Sequence, residues 1–386
     1  MLDNFKSFWS LDPEITFLNH GSFGACPLPV LAAQQAFRQQ LESEPVRFFG
    51  REYEPLMDQA KAKLAEFVGA NKDEIAFVPN ATTGVNTVLR SLHFKPEDEL
   101  LTTSHEYNAC RNAFDFVAKQ SGAKIVIAEI PFPIVSPTQI IEAILQKVTS
   151  KTRLVLIDHI TSQTGLIFPV KEIAENLTDR GIDILIDGAH APGMISLNLK
   201  EIGATYYTGN CHKWLCAPKG AAFLYVQKSR QELIRPLTIS HGANSPRQDR
   251  SRFELEFDWM GTVDPSSYFS VPVAIDFMGS LLAGGWKELI SRNHELTLAA
   301  RNLLCHKLQM PLPCPDEMIG SMASLPISDG DAMELHDILF DEFGIELQII
   351  PWPQLDCRLF RISAQIYNNL EDYEYLAESL IKVLAG

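Results

Sequence analysis

In the stretch YTGNCHKWLCAPKGAAFLYV, residues 207–226, Lys213 stands between a strand-like run, TYYTGN, and an apolar strand, AAFLYV. The Trp214–Leu215 pair beside it would strip water from the amine, which lowers its pKa and makes it a nucleophile toward carbonyl groups. A solvated surface lysine is the ordinary alternative for any one position. Upstream, IDILIDGAHAPG ends a buried-type strand in Asp187, at the carboxyl edge where open α/β sheets hold their ligands, although Asp-Gly after a strand is also common turn chemistry. In FVPNATTGVNTVL, residues Asn80, Ala81, Thr82, Thr83 and Gly84 fall between a strand and an amphipathic helix. Unpaired N–H groups and the macrodipole make such a helix start an anion site, with a plain Thr N-cap as the alternative.

Taken together, an anion cradle, a strand-end carboxylate and a nucleophilic lysine are the parts that hold pyridoxal 5'-phosphate. The helix start takes the phosphate, the carboxylate keeps the pyridine nitrogen protonated, and the lysine forms a Schiff base. No GxGxxG follows a strand and no GxxxxGK[ST] is present, so dinucleotide and P-loop chemistry lose their main support. His105, His159, His190 and His212 each follow a strand-like segment but match no HExxH or HxH spacing, and no metal site is expected.

The elements that must position these residues follow from hydrophobic pattern. From about residue 55 to 260, helical patterns alternate with short apolar runs such as EIAFVPN, TRLVLIDHI and IDILIDGAH, which implies a mostly parallel sheet covered on both faces. A long helical stretch, residues 268–308, carries a proline and a Gly-Gly pair that should bend or split it. A smaller α/β unit follows, with SMASLPIS, IELQIIP and CRLFRISAQIY as strands, a helix ended by Gly344, and a closing helix capped by Asn369. The chain of 386 residues is 46% hydrophobic and 21% charged, enough for a large core and a second, smaller one. A net charge of −15 without a basic cluster argues against nucleic acid as partner. Seven scattered cysteines without a CxxC pair fit a reducing compartment. The N-terminus has no signal-peptide pattern and no run of about 18 apolar residues appears, so a cytoplasmic protein without a membrane segment is expected.

The motifs NATTGVN, LIDGAHAPG, GNCHKWLCAPKG, WMGTVDPSSY and RISAQIYNNLEDY occur in this order from about Phe17 to Leu380. They resemble those of class V aminotransferase-fold enzymes, and FLNHGSFGACPLPV is similar to the isopenicillin N epimerase-like branch. The resemblance implies an α/β fold of PLP-dependent transferase type I. Its large domain, 17–264, holds a mostly parallel seven-stranded sheet, and residues 1–16 and 265–386 form a small domain with a long connecting helical segment. It implies Lys213 as the Schiff-base lysine, Asp187 at the pyridine nitrogen and His190 at the phenolic oxygen. Ala81, Thr82 and Thr83, with Asn210 and His212, would hold the phosphate, and Thr262 would reach it from the neighbouring subunit of a homodimer. Tyr107 would stack on the ring, Ser162 would contact cofactor or substrate, and Arg361 would pair with the substrate's α-carboxylate. Two positions depart from the cysteine desulfurases: Gln348 stands where they carry an arginine, and Cys357 lies beyond a Pro-rich turn, which argues against a persulfide carrier. The implied function is a PLP enzyme acting at Cα of an amino acid or peptide-like derivative. The alternatives are a cysteine or cystine C–S lyase or desulfurase, a class V aminotransferase, and a PLP-binding protein without catalysis.

Overall fold

The computed structural model describes residues 5–385; residues 1–4 and 386, which the sequence assigns to the small domain, lie outside the described residues. In chain order the strands are β1 (Thr16–Phe17), β2 (Ile75–Val78), β3 (Glu99–Thr103), β4 (Lys124–Ala128), β5 (Thr152–Asp158), β6 (Asp183–Asp187), β7 (Tyr206–Asn210), β8 (Ala222–Val226), β9 (Met322–Ile327), β10 (Ile345–Glu346), β11 (Gln348–Pro351) and β12 (Arg358–Ser363). The main helices are α1 (Leu28–Ser43), α2 (Tyr53–Val68), α3 (Ala81–Ser91), α4 (Asn108–Ser121), α5 (Thr138–Lys147), α6 (Val170–Thr178), α7 (Val271–Ser280), α8 (Gly285–Lys307), α9 (Ala332–Phe343) and α10 (Leu370–Ala385).

Seven strands form the large sheet, in the order β2-β8-β7-β6-β5-β3-β4. All neighbours are parallel except β8, which runs antiparallel to both β2 and β7. Every residue of β6 and β7 is buried, because helices cover both faces and leave no polar side to the strands. Alternate residues feed two separate cores: Ile184, Ile186 and Tyr207 point into one, Leu185 and Tyr206 into the other. This is the expected α/β architecture. It sets Asp158, Asp187 and Thr208 side by side at the carboxyl ends of β5, β6 and β7.

The C-terminal sheet has three antiparallel strands in the order β11-β12-β9. The run IELQIIP, expected as one strand, divides at Leu347: β10 pairs with β1, and β11 pairs with β12. The helical stretch breaks into Ser266–Phe269, α7 and α8, with a bend of 71° before α8. Pro272 falls in the first turn of α7, where its missing N–H costs nothing. The Ser266–Phe269 turn and α7 pack against α1 and α2 of the large unit, while α8 packs on β9 and α10. Asn369 caps α10 through the N–H of Asp372 at 3.2 Å, and Gly344 ends α9 with φ +62°. No single helix among the described residues is long and apolar enough to cross a membrane.

The start of α3 meets the sheet through Gly84. A Cβ there would lie 2.2 Å from Thr208 Oγ1, whose hydroxyl is engaged with the Phe223 carbonyl at 2.8 Å. Alanine would gain about 1 kcal/mol of helix propensity, against about 1–3 kcal/mol for overpacking a rotamer that cannot swing away. The clash wins on these magnitudes. Gly84→Ala should therefore destabilise the fold by a net of up to about 2 kcal/mol, read as a lower urea midpoint, and weaken cofactor retention.

Candidate active site

Lys213 follows β7 in a tight loop. The loop is closed by Cys216 N–H to the Lys213 carbonyl and Ala217 N–H to the Cys211 carbonyl, both at 3.0 Å, and needs Cys216 at φ +62°. The Lys213 carbonyl also accepts from His20 Nε2 at 3.1 Å, which leaves His20 Nδ1 to accept the Tyr367 hydroxyl at 2.8 Å. Gly24 packs on the same loop: with φ +68°, a Cβ there would sit 2.2 Å from the His212 carbonyl and 2.9 Å from Lys213 Cα. The Lys213 amine lies 3.2 Å from His190 Nε2 and, among the described residues, forms no ion pair with an acid. Burial, then Arg361, pulls its pKa down to about 7 in spite of Asp187 and Asp158. At neutral pH a large share of this amine is unprotonated and nucleophilic.

Asp187 ends β6 with Oδ1 accepting the Ala189 N–H at 2.9 Å and Oδ2 accepting the Cys110 thiol at 3.0 Å. His190 is held by Trp214 Nε1–H donating to its Nδ1 at 3.4 Å, and burial with the adjoining Lys213 keeps it neutral. A cavity of about 400 Å³ joins Lys213, Asp187, His190 and Tyr107 to Asn80, Ala81, Thr82, Asn210, His212 and Ser162. Asn80, not a threonine, caps α3: its Oδ1 accepts both the N–H of Thr83 at 2.8 Å and the Thr83 hydroxyl at 3.0 Å. Asn210 Oδ1 takes the Ala81 N–H at 2.8 Å, tying β7 to the helix start. Thr83 therefore spends its donors on the cap and does not line the cavity, and Thr262 is exposed and lines it neither. His212 donates Nδ1–H to the Ala221 carbonyl at 3.0 Å, and burial lowers its pKa to about 4.

These residues fit pyridoxal 5'-phosphate. A half-buried amine that forms no ion pair among the described residues, a buried strand-end carboxylate and a capped helix start share one cavity, which is the donor set that the aldehyde, ring nitrogen and phosphate require. Lys213, Asp187, His190, Tyr107, Thr82, Asn210 and His212 would hold it.

A second cleft of about 790 Å³ shares Ser22, Phe23, Tyr107, Ser162 and Lys213 with this cavity and extends past Gln348, Ile350 and Trp352. Arg361 lines this second cleft beside the shared Ser22 and Ser162, only 2% exposed and, among the described residues, paired with no acid. Its Nη1 donates to the Ser162 carbonyl at 2.5 Å and its Nη2 to Ser22 Oγ at 3.1 Å, while Nε has no partner. The Ser22 hydroxyl sits 2.9 Å from Gln348 Oε1, so Gln348 acts on Arg361 through Ser22. Cys357 lines neither cavity.

His20, Ser22, Gly24, Glu106, Cys110 and Asp158 join the site without having been expected there. For Asp158 a signal existed, since VLIDHI ends its strand as ILIDGA ends that of Asp187. For the others the tie is long-range, as between His20 and Lys213, 193 residues apart.

Comparison with known proteins agrees with this geometry. The model for class-V aminotransferases matches residues 19–376. The chain is 34% identical to isopenicillin N epimerase of Streptomyces clavuligerus, over 96% of this chain and 95% of that one. It is 31% identical to a probable chloroplastic L-cysteine desulfhydrase of Arabidopsis thaliana, over 96% and 83%. The apo structure of a cysteine desulfurase from Thermococcus onnurineus NA1 superposes with a TM-score of 0.83 at 19% identity, covering 99% of this chain and 97% of that one. The cavity around Lys213 and the match along nearly the whole chain lead to one conclusion: this protein belongs to the class-V aminotransferase family of pyridoxal-phosphate enzymes.

Proposed function

We propose that this enzyme acts at Cα of an amino acid with an extended, peptide-like side chain, as the isopenicillin N epimerases do. The observation that carries this reading is Arg361, a buried guanidinium with a free Nε and no acid, set where the cofactor cavity opens into the larger cleft. A desolvated cation left unpaired is costly unless a ligand anion completes it. A substrate carboxylate offers the matching fork. Bound there, the rest of the substrate extends along Ile350 and Trp352 into a space far larger than the side chain of cysteine needs.

Pyridoxal phosphate, when bound, supplies an electron sink that acidifies the bond to the Cα proton. Lys213 then serves as the base, since its low pKa lets it take a proton near neutrality. Tyr107 lines both cavities and keeps its proton, its pKa raised by burial and by Cys110 and Asp187. It is our candidate for the second acid that epimerisation needs. We propose further that the enzyme is a homodimer in which exposed Thr262 and Val263 meet the neighbouring subunit, and that it works in the cytoplasm, in keeping with seven free cysteines. A C–S lyase is the second reading, favoured by the resemblance to the desulfhydrase; elimination needs only the same lysine and an acid at the leaving group.

Four outcomes test this reading. A panel of L-amino acids, cysteine derivatives and peptide-like amino acids, scored by α-proton exchange in deuterated water and by optical rotation, should give exchange with inversion on long substrates; sulfide release from cysteine would instead establish the lyase. Arg361→Lys, which keeps the charge and loses the fork, should lower kcat/KM by about 10–100-fold, mainly through KM. The rate at which apoprotein captures the cofactor should rise with pH to a plateau with a midpoint near pH 7, because only the neutral amine attacks and Lys213 has its pKa lowered to about 7. An ordinary lysine, with a pKa of about 10.4, would keep gaining tenfold per pH unit through about pH 9. Borohydride reduction should attach the cofactor to a Lys213 peptide, and Lys213→Ala should lose that label.

A further inference from the structure

Three carboxyl groups meet at one end of the cofactor cavity. Asp158 and Asp187 end neighbouring parallel strands as register partners and line the cavity together. Glu106 follows β3 and lines the adjoining cleft; its carboxylate, Cys110 Sγ and the Asp187 carboxylate lie within 4.8 Å of one another. Exposure is 3% for Asp158, 6% for Glu106 and 2% for Asp187. Among the described residues no ion pair reaches any of the three. Glu106 Oε2 accepts the Thr102 hydroxyl at 3.0 Å, but Glu106 Oε1 and Asp158 Oδ2 have no partner at all.

Like charges this close, out of water, cannot all be ionised. The remaining groups that act on the trio are Cys110 and Arg111 from α4, Lys213 across the cavity, and the phenols of Tyr107 and Tyr207. Arg111 already faces Asp115 at 3.1 Å. Lys213, its pKa lowered to about 7, carries only about half a charge near neutrality, so the positive charge nearby falls short of three.

We infer that Asp158 and Glu106 are positioning residues that keep their protons at neutral pH, leaving Asp187 the one ionised carboxylate of the trio and the one that faces the cofactor. The selection of Asp187 has a local cause. It alone receives the Ala189 N–H and the Cys110 thiol, and Lys213 favours its charged form. The thiol keeps its hydrogen, because burial and the adjacent acids raise its pKa well above the usual range. Burial and the other two acids push Asp158 well up, and burial with Asp187 pushes Glu106 up to about 8. This protonation pattern belongs to the chain itself and does not depend on which amino acid reacts.

Infrared difference spectra of the holoenzyme near pH 7 provide the test. Wild type minus Asp158→Asn and wild type minus Glu106→Gln should each show the C=O stretch of a protonated carboxylic acid present only in wild type. A side chain with a merely structural role, if ionised, would show carboxylate bands instead, and that result would overturn the inference. An independent readout is the unfolding of the cofactor-stripped full chain in urea. A carboxyl whose folded pKa lies above its unfolded one stabilises the fold fully below about pH 4 and loses that contribution as pH rises through the folded value. The ratio of the wild-type unfolding constant to that of Glu106→Gln should thus increase by tenfold or more between about pH 5 and about pH 8, since every other titrating group is common to the two proteins. Equal slopes in the two proteins would also sink the idea. Should one variant fail to fold, the spectrum of the other decides.

Discussion

The site depends on one backbone-to-backbone contact, that of Gly24 against the loop of Lys213. No side chain fits between them, since a Cβ on Gly24 would overlap the His212 carbonyl at 2.2 Å. The contact fixes where the N-terminal segment lies, and that segment in turn links both units. Leu18 N–H bonds to the Glu346 carbonyl at 3.0 Å and Ser363 N–H to the Leu18 carbonyl at 2.9 Å. Gly21 lies against Met322 and Ser363, and Ser22 reaches Arg361. The seven residues 18–24 thus tie the lysine of one sheet to the arginine of the other, and the spacing between nucleophile and carboxylate anchor follows from packing rather than from loops free to move.

Around that frame the protein keeps charges in unusual company. Lys213 is half-buried and Arg361 buried, neither forms an ion pair among the described residues, and desolvation lowers the pKa of each, to about 7 and about 10. Asp158 and Asp187 are buried too, at the strand ends lining the same cavity as Lys213, and are likewise without an ion pair among the described residues. A conventional interior would have paired these groups with one another. Here the fold sets them on different elements: β5 and β6 carry the acids, while the lysine rides on the loop after β7 and the arginine on β12.

Much of this was legible from residue order. Asp187 announces itself by ending an apolar run too continuous for a half-exposed strand, Lys213 by its place beside Trp214 and Leu215 between a strand-like run and an apolar strand, and the helix start at Asn80 by its short polar cluster between strand and helix. Asp158 carries the same mark as Asp187, and its neighbour His159 bonds the Tyr207 hydroxyl at 2.8 Å, inside the core. Thr83 illustrates the limit of local reasoning, since which residue caps a helix and which donors remain depends on a single rotamer. The surface that α7 covers was hidden for a different reason. An apolar helix such as α7 reads the same whichever surface it covers, and only its contacts with α1 and α2 assign it.

The reversed direction of β8 bears on how such a site tolerates change. Because β8 returns antiparallel along β7, the loop holding Lys213 leaves and re-enters the sheet at one edge, and the Ala221 carbonyl clasps its far end through the N–H groups of Cys211 at 3.0 Å and His212 at 3.1 Å. A parallel crossover would have carried the chain to the opposite edge and left the lysine on a single tether. With both ends clamped, the wall facing Gln348, Trp352 and Leu355 can drift through sequence space while the nucleophile stays put. Divergence of substrate within such a lineage can therefore proceed on the far side of the cleft without rebuilding its chemistry.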